Sequence, residues 1–210
     1  MTKPSDPAAT RGKSRVKGSE RRAKFLDAAA AIIVEHGVSA VTMDEVALRT
    51  EVNKRLGYRY FANREDLLHG LFEQEMAKMS RAAAELTPPD PTLADVVSAN
   101  IRAWLDMTER DGPILSRLFS DQAVIPNLGR AILDRATHNW AVTLGDPLDL
   151  PPPVGEILAR IYLAALRGAV ETLLAGTASA AQIADIYATA VLGGAEAVAA
   201  RFGTSLASSD

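Results

Sequence analysis

The chain has 210 residues, 48% of them apolar, with 23 Lys/Arg against 26 Asp/Glu and no cysteine. That length allows one large or two small domains with a real core, and the missing cysteines exclude disulfides and thiolate metal sites. The basic N-terminus lacks the apolar segment of a signal peptide, and no uninterrupted apolar run reaches the roughly 18 residues of a membrane span, so a soluble cytoplasmic protein with no membrane partner is expected. Charge is unevenly divided. Residues 1–64 hold 13 Lys/Arg and 7 Asp/Glu, a net of +6, whereas residues 65–210 hold 10 and 19, a net of −9. Such a split points to a polyanionic partner at one end only.

Residues 1–18 mix Pro, Gly, Ser and Thr with Lys3, Arg11, Lys13, Arg15 and Lys17. They lack a hydrophobic face and are expected to form a disordered basic arm, either lying along DNA or serving as a solubilising tail. A first helix is predicted over Ser19–His36, where Phe25, Ala28, Ala29, Ile32 and Ile33 recur at helical spacing and Gly37 follows as a C-cap. Thr42 with Glu45 three residues on is a capping-box pattern for a second helix, with Val46 and Ala47 facing inward. Glu51-Val52-Asn53 breaks that run, and Asn53 is a good N-cap for a third. Lys54, Arg55, Tyr58 and Arg59, spaced i, i+1, i+4 and i+5, then cluster on one helical face. A short helix with cations and a phenol on one side suits a major groove about 12 Å wide, where such groups meet phosphates and base edges. Asn63, with Asp66 three residues later, caps a longer helix over about 64–86 with Leu67, Leu68, Leu71, Phe72, Met76 and Met79 as its stripe. The run Thr87-Pro88-Pro89-Asp90-Pro91 stops it.

Residues 20–70 resemble the DNA-binding domain of the TetR (tetracycline repressor) family of bacterial transcription regulators. The likeness is carried by Ala28-Ala29 and Gly37, Thr42 with Val46-Ala47, Val52-Asn53, Tyr58, Tyr60-Phe61, and Asn63-Arg64-Glu65 with Leu67-Leu68. The resemblance implies double-stranded DNA as partner, with Thr42, Tyr60 and Arg64 on phosphates and Asn53, Lys54, Arg55, Tyr58 and Arg59 at the reading surface. It also implies that the 64–86 helix transmits ligand occupancy to the reading heads. Three departures stand out. Glu51 occupies the usual turn glycine, which strains the backbone if φ is positive there. Arg55 adds a long donor that could read a base. Gly57 replaces the anchoring leucine, which should leave a hole and a loosely held helix.

The fold expected is all-α: an N-terminal three-helix helix-turn-helix domain over 19–68, then a C-terminal helical effector-binding and dimerisation domain over 69–210. Helices are predicted at about 92–110, 113–122, 126–144, 153–176 and 179–202, bounded by Pro113, Pro126 and Pro151-Pro152-Pro153. Trp104, Met107, Leu115, Phe119, His138, Trp140 and Tyr162, with Arg102 and Asn139, are the bulky and polar candidates for a pocket binding an unidentified small-molecule effector. The last two helices are rich in small residues, among them Ala165, Gly168, Ala169, Gly193, Gly194 and Ala197. The resemblance implies that these helices pair with their copies in a homodimer. A two-fold partner also suits a palindromic operator, with reading helices about 34 Å apart.

His36, His69 and His138 are scattered and no nucleophile, phosphate-loop or metal-ligand motif is present, so no catalytic residue, cofactor or metal is expected. The reading is a ligand-responsive transcriptional regulator, a repressor by preference. An architectural DNA binder without an effector, or a helical carrier or enzyme, stays open at this point.

Overall fold

The computed structural model describes residues 7–120 and 126–203, with the side chains of 18–119 and 130–203. Among the described residues every regular element is helical: α1 (Pro7–His36), α2 (Met43–Arg49), α3 (Lys54–Gly57), α4 (Arg64–Leu86), α5 (Leu93–Asp111), α6 (Ile114–Ser120), α7 (Pro126–Gly145), α8 (Pro152–Leu174) and α9 (Ala180–Phe202). Short 3-10 turns lie at Val38–Ala40 and Asp146–Leu148. The chain divides into two compact units, 1–74 and 75–210. The division falls inside α4, a few residues later than the expected boundary at residue 68.

The first unit is built on α1. Phe25, Leu26, Ala29, Ile32 and Ile33 are buried along one stripe and meet Val46 of α2 and Leu67, Leu68 and Leu71 of α4, all without exposed surface. Gly37 ends the helix with φ +83°, its N–H donating to the Ile33 carbonyl at 2.9 Å. One expectation fails at the other end of α1. Residues 7–18, the described part of the expected arm, are helical and not disordered. The Ala, Arg and Lys in this stretch favour helix once a packed segment extends their register. Residues 1–6 of that arm lie outside the described residues.

In the second unit α7 packs on α8, and α5 on α8 and α9. Helix starts are set locally. Thr92 with Asp95 and Ser179 with Gln182 each form a complete capping box for α5 and α9. The hydrogen bonds from Thr92 hold the Asp95 carboxyl below its usual range. Two phenols stitch the last helices together: Tyr162 Oη donates to the Val191 carbonyl at 2.7 Å, and Tyr187 Oη to the Tyr162 carbonyl at 2.8 Å. Burial raises the pKa of both. By length and composition α9 could cross a bilayer, which qualifies the sequence expectation.

Candidate nucleic-acid interface and effector cavity

The α2–turn–α3 segment is shaped by backbone hydrogen bonds and two side-chain caps. Thr42 Oγ1 accepts from the Glu45 N–H at 3.1 Å and starts α2. At its end the Glu51 N–H donates to the Leu48 carbonyl at 3.2 Å and the Val52 N–H to the Ala47 carbonyl at 3.1 Å. These are the two bonds of a Schellman motif, whose C′ residue must be left-handed. Glu51 takes that role with φ +53°. A side chain in this region costs about 1–2 kcal/mol relative to glycine, so the expected strain is present. Asn53 Oδ1 then accepts from the Arg55 N–H at 2.8 Å and caps α3.

Regular α-helix in α3 ends at Gly57. The chain continues as a tight turn through Tyr60, with the Tyr60 and Phe61 N–H groups both donating to the Gly57 carbonyl at 2.9 and 3.0 Å. Lys54, Arg55, Tyr58 and Arg59 are all exposed, as are Thr42 and Asn53, while Tyr60 is half-buried. Lys54 is less free than its neighbours. Its Nζ lies 2.6 Å from the Asp44 carboxylate of α2, and this hydrogen bond raises its pKa. Arg49 is likewise engaged, with Glu35 at 2.6 Å and Glu45 at 3.3 Å. Arg55 and Arg59 have no ion-pair partner among the described residues, so they remain the cations most available to an incoming polyanion.

Behind this face Gly57 is buried, and the expected hole is absent. A Cβ there would sit 3.1 Å from Phe25 Cε1 and 3.4 Å from Met43 Cε. The Phe25 ring occupies the leucine's place and also meets Tyr60 and Phe61, with ring centroids 6.2 and 6.3 Å away. The short helix is therefore held from α1 by an aromatic cluster. Arg64 is the second revision. Its Nε donates to the Val41 carbonyl at 2.6 Å and its Nη2 to the Val38 carbonyl at 2.8 Å. The guanidinium fork closes the 38–41 loop onto α4. Asn63 caps α4 as expected, its Oδ1 accepting from the Asp66 N–H at 2.9 Å.

In the second unit two adjoining lobes of about 190 and 460 Å³ share Trp104, Phe119, Leu163 and Leu166 as a common wall. The smaller lobe adds Trp140 and Asn139, so of the expected effector residues Trp104, Phe119 and Trp140 come together. The other four do not line it. Arg102 is exposed and paired with Asp106 at 3.3 Å, one helical turn away. Met107 faces a separate void of about 10 Å³ beside Glu75, a carboxylate buried with its partner Lys78 at 2.7 Å. Its neighbour in the sequence reading, Leu115, lines that void too. His138 is exposed. The Tyr162 hydroxyl is committed to Val191. Residues the sequence did not single out complete the walls: Met76 and Met79 of α4, Tyr187 of α9, and Arg160 and Arg167 of α8. The two arginines, two helical turns apart, were the one available signal, since most of α8 is apolar.

The outer face of α8 and α9 is apolar and exposed. Ile157, Ile161 and Ile186 expose 61, 56 and 69% of their surface. Ala165, Gly168, Gly193 and Ala197 are exposed with them, and a Cβ at Gly168 or Gly193 would meet nothing within 4 Å. Two residues expected on this face lie inside the protomer. Ala169 is buried, and Gly194 makes room for the Tyr162 hydroxyl.

Residues 25–71 match the family described as "Bacterial regulatory proteins, tetR family". The chain is 27% identical over 85 residues to the HTH-type transcriptional repressor SCO4008 of Streptomyces coelicolor, covering 40% of this chain and 38% of that protein. It is 34% identical over 82 residues to the HTH-type transcriptional regulator BetI of Rhizobium meliloti, covering 39% and 40%. The match thus spans about two fifths of the length of these curated relatives. In fold it is similar to the TetR-like transcriptional regulator LfrR from Mycobacterium smegmatis, solved in complex with proflavine, with a TM-score of 0.61, 22% identity, and coverage of 84% of this chain and 97% of that one. Residues 25–71, with their helix-turn-helix, thus carry a domain of the tetR family of bacterial regulatory proteins, and the second unit is all-helical among its described residues.

Proposed function

We propose that the protein is a ligand-responsive transcriptional repressor of the cytoplasm that binds a palindromic operator as a homodimer. The observation that carries this reading is the exposed set of Lys54 and Arg55 on α3 and Tyr58 and Arg59 on the turn that follows it, in a helix-turn-helix sealed from behind by Phe25. Arg55 and Arg59 are offered to base edges or phosphates, and Tyr58 and Thr42 hydroxyls to phosphate oxygens. Arg64 acts from behind as a support and does not touch DNA.

The homodimer is formed through the α8–α9 outer face. A helix as apolar as α9 that leaves Ile186 and a run of small residues exposed is explained by a second copy covering them, and a two-fold partner places two reading helices one turn of DNA apart. The cavity of the second unit is the effector site. A fold neighbour was solved with proflavine, which supports a small molecule here without saying which. Effector occupancy is passed along α4, which contributes Met76 and Met79 to the cavity wall and whose start carries Arg64. The effector needs a differential affinity of a few kcal/mol between DNA-competent and released states to clear the operator.

Selection of genomic DNA fragments by the purified protein, followed by gel shifts at rising salt, tests this reading. The expected result is a two-fold symmetric site whose affinity falls steeply with salt. Arg55→Ala should cost about 1–3 kcal/mol and relax one base position in each half-site. Equal binding to all duplexes would favour an architectural role, and no duplex binding at low salt would end the reading.

A further inference from the structure

We propose that the effector is an amphipathic organic anion: an aliphatic or arylalkyl carboxylate whose apolar body lies against Trp104, Phe119 and Trp140 and whose carboxylate is held by Arg160 and Arg167. This rests on the cavity being the effector site, as proposed above, and adds the chemistry of what fills it.

The charge pattern is one-sided. Among the described residues neither lobe has an Asp or Glu in its wall, and the ionised side chains lining them are Arg160 and Arg167. They lie seven residues apart on α8, hence on one face and about 10 Å apart along the axis. Arg167 has no ion-pair partner among the described residues. Arg160 has Asp134 at 3.9 Å, with both groups more than half exposed, a pairing that screened surface charges hold weakly. Two under-neutralised guanidinium forks beside an apolar wall bind a carboxylate through charge-assisted, bidentate hydrogen bonds and repel a cation.

Three neutral donors in the wall are already occupied. The Asn100 amide donates to the Val96 carbonyl at 2.8 Å, the Trp104 indole to Ser116 Oγ at 3.2 Å, and the Tyr187 hydroxyl to the Tyr162 carbonyl at 2.8 Å. A ligand bonding to these three groups would have to break those contacts, whereas a carboxylate at Arg160 and Arg167 would not. The rest of the wall, Leu163 and Leu166 with the aromatics and methionines, offers contact area for a flexible or planar hydrocarbon.

The experiment uses the full chain and three probes of matched length below their micellar concentrations: decanoate, 1-decanol and decyltrimethylammonium. The chain's two tryptophans, Trp104 and Trp140, both line the cavity, so intrinsic fluorescence reports occupancy directly, with thermal shift as a second readout. Decanoate should give a saturable change at a concentration at least about tenfold below that of decanol, with the ammonium weakest. An Arg160→Gln/Arg167→Gln variant should lose about tenfold in decanoate affinity while keeping its decanol affinity, which also shows that it is folded. Decanol or the ammonium binding as tightly as decanoate, or decanoate binding the double variant unchanged, overturns the anion and leaves the cavity as a ligand site. Failure of all three to perturb fluorescence or melting overturns the effector-site reading and this inference with it.

Discussion

Gly57 and Phe25 should behave as one unit, and a double-mutant cycle exposes it. A leucine at 57 would put its first side-chain atom 3.1 Å from Phe25 Cε1 and 3.4 Å from Met43 Cε, with three more carbons to follow. Phe25 is 1% exposed and is itself held between Tyr60 and Phe61, so it has no free direction to move. Gly57→Leu gains about 0.8–1 kcal/mol of helix propensity but forces overpacking that costs about 1–3 kcal/mol, for a net loss. Phe25→Ala alone should cost about 3–5 kcal/mol through the cavity it opens. In that background the leucine enters the vacated space, so the second substitution should stabilise, with a coupling energy of about 1–3 kcal/mol. Urea unfolding followed by far-UV circular dichroism measures the four proteins. Both tryptophans, Trp104 and Trp140, belong to the second unit, so a constant fluorescence midpoint confirms that the change is confined to the first. Additive effects within about 0.5 kcal/mol would refute the claim that the ring stands in for the leucine.

Glu51→Gly should raise the stability of the first unit by about 1 kcal/mol, because it relieves the left-handed strain at φ +53°; a loss on chemical denaturation would contradict the Schellman account. Arg64→Lys keeps the charge but loses the planar fork on the Val38 and Val41 carbonyls. It should cost about 1–3 kcal/mol of stability and leave the salt slope of DNA binding unchanged, whereas a shallower slope with stability intact would return Arg64 to the phosphate. Asp44→Asn releases Lys54 from its ion pair, so DNA affinity should rise and the slope of log K against log salt should steepen by about one; unaltered binding would show that Lys54 does not face DNA. Gly168→Arg adds a side chain where a Cβ meets nothing. Sedimentation should then find folded monomers with weakened operator binding, and an intact dimer would place the interface elsewhere.

Local rules were enough for the helices. Caps at Thr42, Asn53, Thr92 and Ser179, and stops at Gly37 and the 87–91 run, act over three or four residues and are readable as such. In the second unit the helix ends that lie within described residues, both ends of α5, α8 and α9, the start of α6 and the end of α7, accordingly fall within about two residues of their predicted bounds. Lys54 and Arg55 were legible on α3 for the same reason, whereas Tyr58 and Arg59 are exposed on the turn after it and not on the helix expected to carry them. Direction of burial was another matter. Whether Gly57 leaves a hole depends on Phe25, 32 positions earlier, and whether Arg64 is free depends on carbonyls 23 and 26 positions earlier. The cavity shows the limit most plainly. Trp104, Phe119 and Trp140 share a wall while Tyr162 turns to α9 and His138 to solvent. Nothing in their spacing along the chain distinguishes them, because a helix offers every bulky residue some face. Only the packing of α5 to α8 against one another selects which face closes a core and which encloses space.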